Sequence, residues 1–262
     1  MFYHFDFLNK MRGIILHTIY SARRDRFIFG LLIGMIISVL ISSFLGGTAL
    51  VESDQMRVIY SASACRFVIM IGLMVFISFH IRKLFENKEM DVFLSRVPSR
   101  ASIIISLFTA FTIIGFVVIA QAVLVLMLIY MQNIVDILYW GLTLCLEGLV
   151  VISMSVFFSV VIRSATLGLL ISFAGYLLSR VIGSFVAYID IAGVNFSFNS
   201  IIEMVLKITS VVIPRLDLFA KSSIIIYSDY NLSSFGILLA QSLVYTAFII
   251  SCAILDMRTK EF

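Results

Sequence analysis

Six long apolar runs constrain this chain of 262 residues more than any other feature of its sequence. In lipid, a helix of about 20 apolar residues crosses the hydrocarbon core and pairs its own backbone groups. None of the six runs holds more than two Asp, Glu, Lys, Arg or His residues. The runs are residues 27–46, 58–81, 101–131, 137–162, 164–189 and 232–255. The sequence therefore predicts an all-α integral membrane protein with six transmembrane helices.

The composition supports one membrane domain and excludes several other classes of protein. Hydrophobic residues make up 61% of the chain and charged residues 13%, roughly half the charged share of a soluble domain. Such a chain is not a soluble enzyme, a disordered tail or a nucleic-acid-binding module, although its net charge is +4. Two prolines and 14 glycines leave little sequence for linkers. We expect residues 1–262 to form a single transmembrane domain.

The distribution of lysine and arginine predicts the orientation in the membrane. Six spans put both termini on the same side. With the N-terminus in the cytoplasm, 13 of the 19 basic residues fall in cytoplasmic segments and Arg180 lies within a span. The five that fall outside are Arg57, Arg66, Lys207, Arg215 and Lys221. Cytoplasmic loops are enriched in Lys and Arg, so the prediction is N-in and C-in.

Residues 1–22 precede the first span and show helical periodicity. Leu8, Met11, Ile15 and Ile19 repeat at the spacing of one helical face, and the basic residues fall elsewhere. This pattern predicts an amphipathic helix that lies in the membrane interface. The alternative is a cytosolic helix that packs on its own protein.

Residues 190–231 form an outer segment before the last span. Glu203 and Lys207 interrupt the apolar run 201–213, which is too short and too charged to cross a membrane. Pro214 ends any helix there. We expect one or two short helices that dip into the outer leaflet as a re-entrant segment. The alternative is a seventh span that merges with residues 214–226.

Glu147 and Arg180 are the only charges deep in the fourth and fifth spans. An unpaired charge within a membrane is costly, so we expect the two to form an ion pair. The pair either lines a transport route or holds the two helices together.

The fifth span also has small residues at four-residue spacing, which permit close helix packing within one subunit or across a dimer. These residues are Gly175, Ser179, Gly183 and Ala187.

The loop between the second and third spans, residues 82–100, has five basic and three acidic residues. Met90, Phe93, Leu94 and Val97 share one helical face, and Pro98 ends that helix. The pattern predicts a short amphipathic helix that docks a cytosolic partner. An ordinary positively charged loop is the alternative.

The sequence has no phosphate-binding loop, no HExxH and no GxSxG motif, so it indicates neither a catalytic residue nor a metal site.

This loop resembles the cytoplasmic loop of ABC-2-type permeases, the membrane subunits of ATP-binding-cassette exporters. The matching residues are Glu89, Leu94, Ser95, Arg96, Pro98, Ser99 and Arg100. The order of Val97 and Pro98 is the reverse of the family's usual Pro-Val. The segments RRDRF at 23–27, IPRLDLF at 213–219 and the closing DMRTKEF are also similar to the family, so the resemblance extends over nearly the whole chain.

The resemblance implies a permease without enzymatic activity or a cofactor of its own. Two permeases, as a homodimer or heterodimer, assemble with two ATP-binding subunits in the bacterial inner membrane, surrounded by membrane lipid. ATP binds to the partner ATPase subunits, and the loop helix, called the coupling helix in this family, docks on them. The docking residues implied are Glu86, Glu89, Asp91, Phe93, Leu94, Arg96, Pro98 and Arg100.

Two functions from other classes compete with this interpretation. A membrane scaffold or assembly factor can use the same loop for docking without transporting anything. An ion-coupled secondary carrier would need acidic residues near the membrane midplane and interrupted helices, and only Glu147 meets that description. The sequence indicates no particular substrate.

Overall fold

The computed structural model describes residues 2–48, 52–96, 99–130, 132–162, 164–192, 213–228 and 232–259. These residues form helices joined by short connections, with no strand among them. The helices are α1 (Phe2–Arg24), α2 (Phe27–Gly47), α3 (Ser53–Glu86), α4 (Glu89–Arg96), α5 (Arg100–Tyr130), α6 (Ile134–Val161), α7 (Ala165–Ala192), a 3-10 helix (Leu216–Leu218), α8 (Ile224–Tyr227) and α9 (Leu232–Thr259).

Six of these helices, α2, α3, α5, α6, α7 and α9, are long and apolar enough to cross a membrane. They coincide with the six predicted spans, so the prediction of an all-α membrane protein is confirmed. The largest difference is in α3, which has 34 residues and extends beyond the predicted 58–81 at both ends. Arg82 and Glu86 support its last turn, because Arg82 Nε donates to Glu86 Oε1 at 2.8 Å across one helical turn.

Local backbone features mark where the helices begin and end. Arg26 separates α1 from α2 with a φ of 53°, and Lys88 separates α3 from α4 with a φ of 56°. A left-handed residue is a common helix terminator because it turns the chain out of the helix. At the start of α6, the side chain of Asn133 accepts a hydrogen bond from the Val135 N–H at 3.2 Å and caps the helix.

Helices α3 and α6 form the centre of the bundle. In the most apolar 18-residue stretch of each helix, 61% of the residues are buried, against 17–33% in the other four long helices. The buried side chains between them include Met70, Leu73 and Trp140, which is fully enclosed. The surrounding helices expose large apolar side chains such as Phe44 and Leu128. Such exposure suits a surface that faces lipid, since water would penalise it.

Helix α1 packs on α5 and α2. Among its described side chains, Ile14, Thr18, Ser21 and Ala22 are buried. The predicted residues Met11, Ile15 and Ile19 are half-buried, and nothing is described of the Leu8 side chain. Helix α1 therefore contacts its own protein, while its location relative to the membrane interface stays a prediction.

Residues 213–228 are the described part of the predicted outer segment. They contain only the three-residue 3-10 helix and the four-residue α8, so the alternative of a seventh span through residues 214–226 is wrong. Leu216, Phe219 and Ile225 are buried against the bundle. The segment contacts α3, α6 and α7. Residues 193–212, which include the predicted re-entrant helix, lie outside the described residues.

Replacing Gly46 with alanine should destabilise the α2–α3 pair. A Cβ at Gly46 would lie 2.6 Å from the backbone N and Cα of Arg57, which cannot move without shifting α3. Overpacking of this kind costs about 1–3 kcal/mol. Gly30→Ala on the same helix is the matched control, because a Cβ there meets nothing within 4 Å. Thermal unfolding in detergent should show a lower midpoint for Gly46→Ala only, and equal midpoints would contradict this close approach.

Candidate functional site

Helix α4 follows the left-handed turn at Lys88 and lies between α3 and α5. Met90 is buried, and Phe93 is half-buried with its ring edge-on to His17 of α1 at a centroid distance of 5.7 Å. Glu89 Oε2 lies 3.7 Å from His17 Nε2. The apolar face of α4 therefore packs on the chain's own helices. On the opposite side of α4, Val92 is 48% exposed.

Some predicted docking residues are accessible at this end of the bundle. The Glu86 side chain is 59% exposed and accepts a hydrogen bond from Arg82. The Glu89 side chain is 35% exposed. Asp91, Leu94 and Arg96 lie within α4, where only their backbone is described, and Pro98 lies outside the described residues.

Arg100 has a different environment from the other predicted docking residues. It is half-buried at the first residue of α5, and its Nη1 donates to the carbonyl oxygen of Met257 at 3.2 Å. This hydrogen bond joins the beginning of α5 to the end of α9. Arg100, which the sequence predicts to dock a partner, is therefore hydrogen-bonded within the chain.

Four side chains from three helices form a buried charge cluster: Arg66 of α3, Glu147 of α6, and Tyr176 and Arg180 of α7. Arg180 Nη1 donates to Glu147 Oε1 at 3.0 Å, and the Tyr176 hydroxyl donates to the same oxygen at 3.2 Å. Glu147 is completely buried. The structure thus brings together the two residues that the sequence paired, as an ion pair between α6 and α7.

Sequence reasoning missed two members of this cluster, Tyr176 and Arg66. The assignment of Arg66 to an outer loop is wrong, because it is 5% exposed and lies 13 residues into α3, roughly 20 Å along the helix axis. It interacts electrostatically with both Glu147 and Arg180. The available signal was the isolated charge within the apolar run 58–81.

The two arginines also hold the 213–228 segment. Arg66 Nη1 donates to the carbonyl oxygen of Ala220 at 2.7 Å, and Arg180 Nη1 donates to that of Leu216 at 3.1 Å. Both guanidinium groups lie by the Phe67 ring, at 5.3 and 6.0 Å from its centroid. A carboxylate, two carbonyl oxygens and an aromatic ring together stabilise the two buried positive charges. This arrangement suits a structural link between the long helices and the 213–228 segment.

The small residues of α7 whose side chains or positions are described pack against other residues of the same chain. A Cβ at Gly175 would lie 2.7 Å from Met154 Cε of α6, and one at Gly183 would overlap the carboxylate of Asp217. Ser179 is fully buried. Ala187 lies in α7, but nothing is described of its side chain. Three of the four small residues therefore serve packing within the subunit, one of the two roles expected from the sequence.

An apolar cavity of about 240 Å³ lies between α6, α7 and α9, next to the buried charge cluster. Phe157, Ser179, Pro214 and Tyr245 are among its lining residues. Within the described part of the chain, no group of three or more His, Cys, Asp or Glu side chains is arranged to hold a metal ion.

No protein-family model matches this chain, and a comparison with curated proteins also gives no match. These comparisons do not assign the chain to a family, and its resemblance to ABC-2-type permeases stays a prediction.

Neutralising Glu147 should severely destabilise the protein. Glu147→Gln removes the carboxylate between Arg66 and Arg180, and breaking a buried ion pair costs about 3–5 kcal/mol. Glu147→Gln combined with Arg180→Gln should recover part of the loss. A charge swap should recover less, because an arginine at position 147 would meet Arg66. Yield of folded protein and thermal unfolding in detergent measure these differences.

The matched control is Asp54→Asn, which neutralises an exposed carboxylate that pairs with Arg57 at 3.1 Å on α3. Exposed ion pairs contribute little, so its unfolding midpoint should equal that of the unmodified protein. Equal stability of Glu147→Gln and Asp54→Asn would show that the buried charge cluster does not hold the bundle together.

Proposed function

We propose that this chain is the permease subunit of an ATP-driven exporter of the ABC-2 type in the bacterial inner membrane. It acts as a homodimer or heterodimer and couples ATP hydrolysis on separate ATP-binding subunits to movement of a substrate through the membrane. The chain itself is not an enzyme. The resemblance of residues 82–100 and of the flanking segments motivates this proposal.

The placement of α4 is the observation that supports the proposal best. A helix of eight residues connects two long apolar helices and packs on α3 and α5, and its Phe93 and Glu89 also contact α1. Force applied to the exposed side of α4 therefore reaches three helices through these contacts. Coupling to an ATPase requires this kind of mechanical connection.

The acidic side chains near α4 suit a role in orienting the partner. Glu86 and Glu89 are both partly exposed, and partly exposed charges at the rim of an interface govern partner choice and association rate more than affinity.

The buried charge cluster has a supporting role in this proposal, because it fixes α3, α6 and α7 relative to one another when α4 is pushed.

Co-purification tests the permease proposal against the scaffold alternative. A tagged chain isolated in mild detergent should retain an ATPase that has a phosphate-binding loop and hydrolyses ATP. Glu89→Arg should reduce the recovered ATPase several-fold, because it reverses a charge at the docking surface. Recovery of other membrane proteins without any such ATPase would favour the scaffold.

Two variants separate docking from internal packing. His17→Ala removes the contact between α1 and Glu89 but keeps the carboxylate, so it should retain the ATPase. Asp54→Arg reverses a carboxylate that is 89% exposed near the opposite end of α3, and it should also retain the ATPase. Loss of the ATPase with all three variants would indicate general damage to the fold instead of a lost docking charge.

The N-in, C-in orientation gives a separate prediction. A green fluorescent protein fused after α9 should fluoresce, and an alkaline phosphatase fused after Ser228 should be active, because that enzyme matures only outside the cytoplasm. The opposite pattern, with an active phosphatase after α9, would place the α4 surface outside the cell and exclude docking to a cytosolic ATPase.

A further inference from the structure

A second cavity, of about 300 Å³, lies where the last turns of α3 meet the start of α2. Pockets for small ligands have volumes of about 300–1,000 Å³, so this one accommodates a small ligand or part of a larger one. Its lining residues are Asp25, Phe27, Val75, Phe76, Phe79, His80 and Lys83. The proposed function makes no use of this cavity.

His80 provides the buried polar group of this cavity. It is 4% exposed, and neither ring nitrogen has a hydrogen-bond partner among the residues that the structure describes. The rings of Phe76 and Phe111 pack against it with centroid distances of 5.4 and 5.7 Å. Buried polar groups in proteins nearly always have a hydrogen-bond partner. An unpartnered imidazole in a cavity wall therefore points to a ligand with a hydrogen-bonding group.

The lining of the cavity has one basic and one acidic side chain, Lys83 and Asp25, and the residues around them are mainly basic. Lys83 lies three residues beyond His80, and its Nζ is 3.7 Å from Asp25 Oδ2, which is longer than a hydrogen bond. Residues 23–26 and 82–86, on either side of the rim, contain five basic and two acidic residues. This excess of positive charge favours an anionic ligand group at Lys83.

The opposite side of the cavity is apolar and open to the surroundings of α3. Val75 and Phe79 are 37% and 52% exposed. They lie eight and four residues before Lys83, so the three side chains follow one face of the helix. Because α3 is long and apolar enough to cross a membrane, this face meets lipid tails next to a positively charged helix end. The arrangement matches an amphiphile with an apolar tail and an anionic head.

We propose that this cavity binds one anionic phospholipid from the surrounding bilayer. The phosphate group lies at Lys83, the glycerol-ester region accepts a hydrogen bond from His80, and the beginning of an acyl chain lies along Phe79 and Val75. The chain binds this lipid without the ATPase.

Native mass spectrometry of the purified full chain tests this site with two lipids of equal chain length. Dimyristoyl phosphatidylglycerol should bind at lower concentration than dimyristoyl phosphatidylcholine. Lys83→Gln should weaken phosphatidylglycerol binding about fivefold, because that is the contribution one basic residue makes to affinity for an anionic membrane surface. His80→Phe should also weaken it, since the phenyl ring keeps the packing but cannot form the hydrogen bond.

Arg57→Gln is the matched control, because Arg57 lies near the other end of α3, its side chain is 42% exposed like that of Lys83, and it also has a carboxylate neighbour. It should leave phosphatidylglycerol binding unchanged. Equal binding of the two lipids, or equal losses with Lys83→Gln and Arg57→Gln, would overturn the site. Displacement of the lipid by millimolar inorganic phosphate would show a simple anion site instead of a lipid site.

A second measurement avoids charge-altering variants. Trp140 is the only tryptophan, so Phe79→Trp in a Trp140→Phe background reports on the cavity alone. Brominated phosphatidylglycerol should quench its fluorescence more than brominated phosphatidylcholine does. Tyr60→Trp, at a 46% exposed position earlier in α3, should show no preference between the lipids. A preference at Tyr60→Trp equal to that at Phe79→Trp would contradict a specific site.

Discussion

The carboxylate of Glu147 is enclosed between Arg180 and Arg66 near the middle of the bundle, and the packing of α3, α6 and α7 depends on it. A charge removed from water is costly unless it is paired and hydrogen-bonded. Glu147 on α6 can meet that condition only if α7 and α3 both lie against it. The same arginines donate to the carbonyl oxygens of Ala220 and Leu216, so the 213–228 segment is fixed by the same interaction.

The end of the bundle near α4 is held together differently. Two polar contacts at this end, Glu89 with His17 and Lys83 with Asp25, are long and partly exposed, each at 3.7 Å. Exposed pairs of this kind contribute little to stability. The buried anchors at this end are apolar, mainly Met90. The middle of the bundle is thus fixed by short buried hydrogen bonds, whereas the end near α4 can adjust its polar contacts. On the proposed function, the adjustable end is the one that meets the ATPase.

The proposed lipid site lies beside this adjustable end. His80 and Lys83 lie in the last turns of α3, immediately before the left-handed turn at Lys88 that begins α4. A lipid bound there would contact the helix that positions α4. The composition of the surrounding membrane would then influence the part of the chain proposed to dock a partner, through ordinary electrostatic attraction of an anionic headgroup to a basic helix end.

The sequence by itself determined the six helices and the partnership of Glu147 with Arg180. Both follow from the cost of unpaired polar groups in lipid, which depends only on residue type and spacing. Only the tertiary structure decided that Arg66 joins the pair, that Met90 and Phe93 of α4 face inward, and that Gly183 makes room for Asp217. Periodicity shows which residues share a face of a helix. Which other helix covers that face depends on how all the helices pack, and no single segment of sequence contains that information.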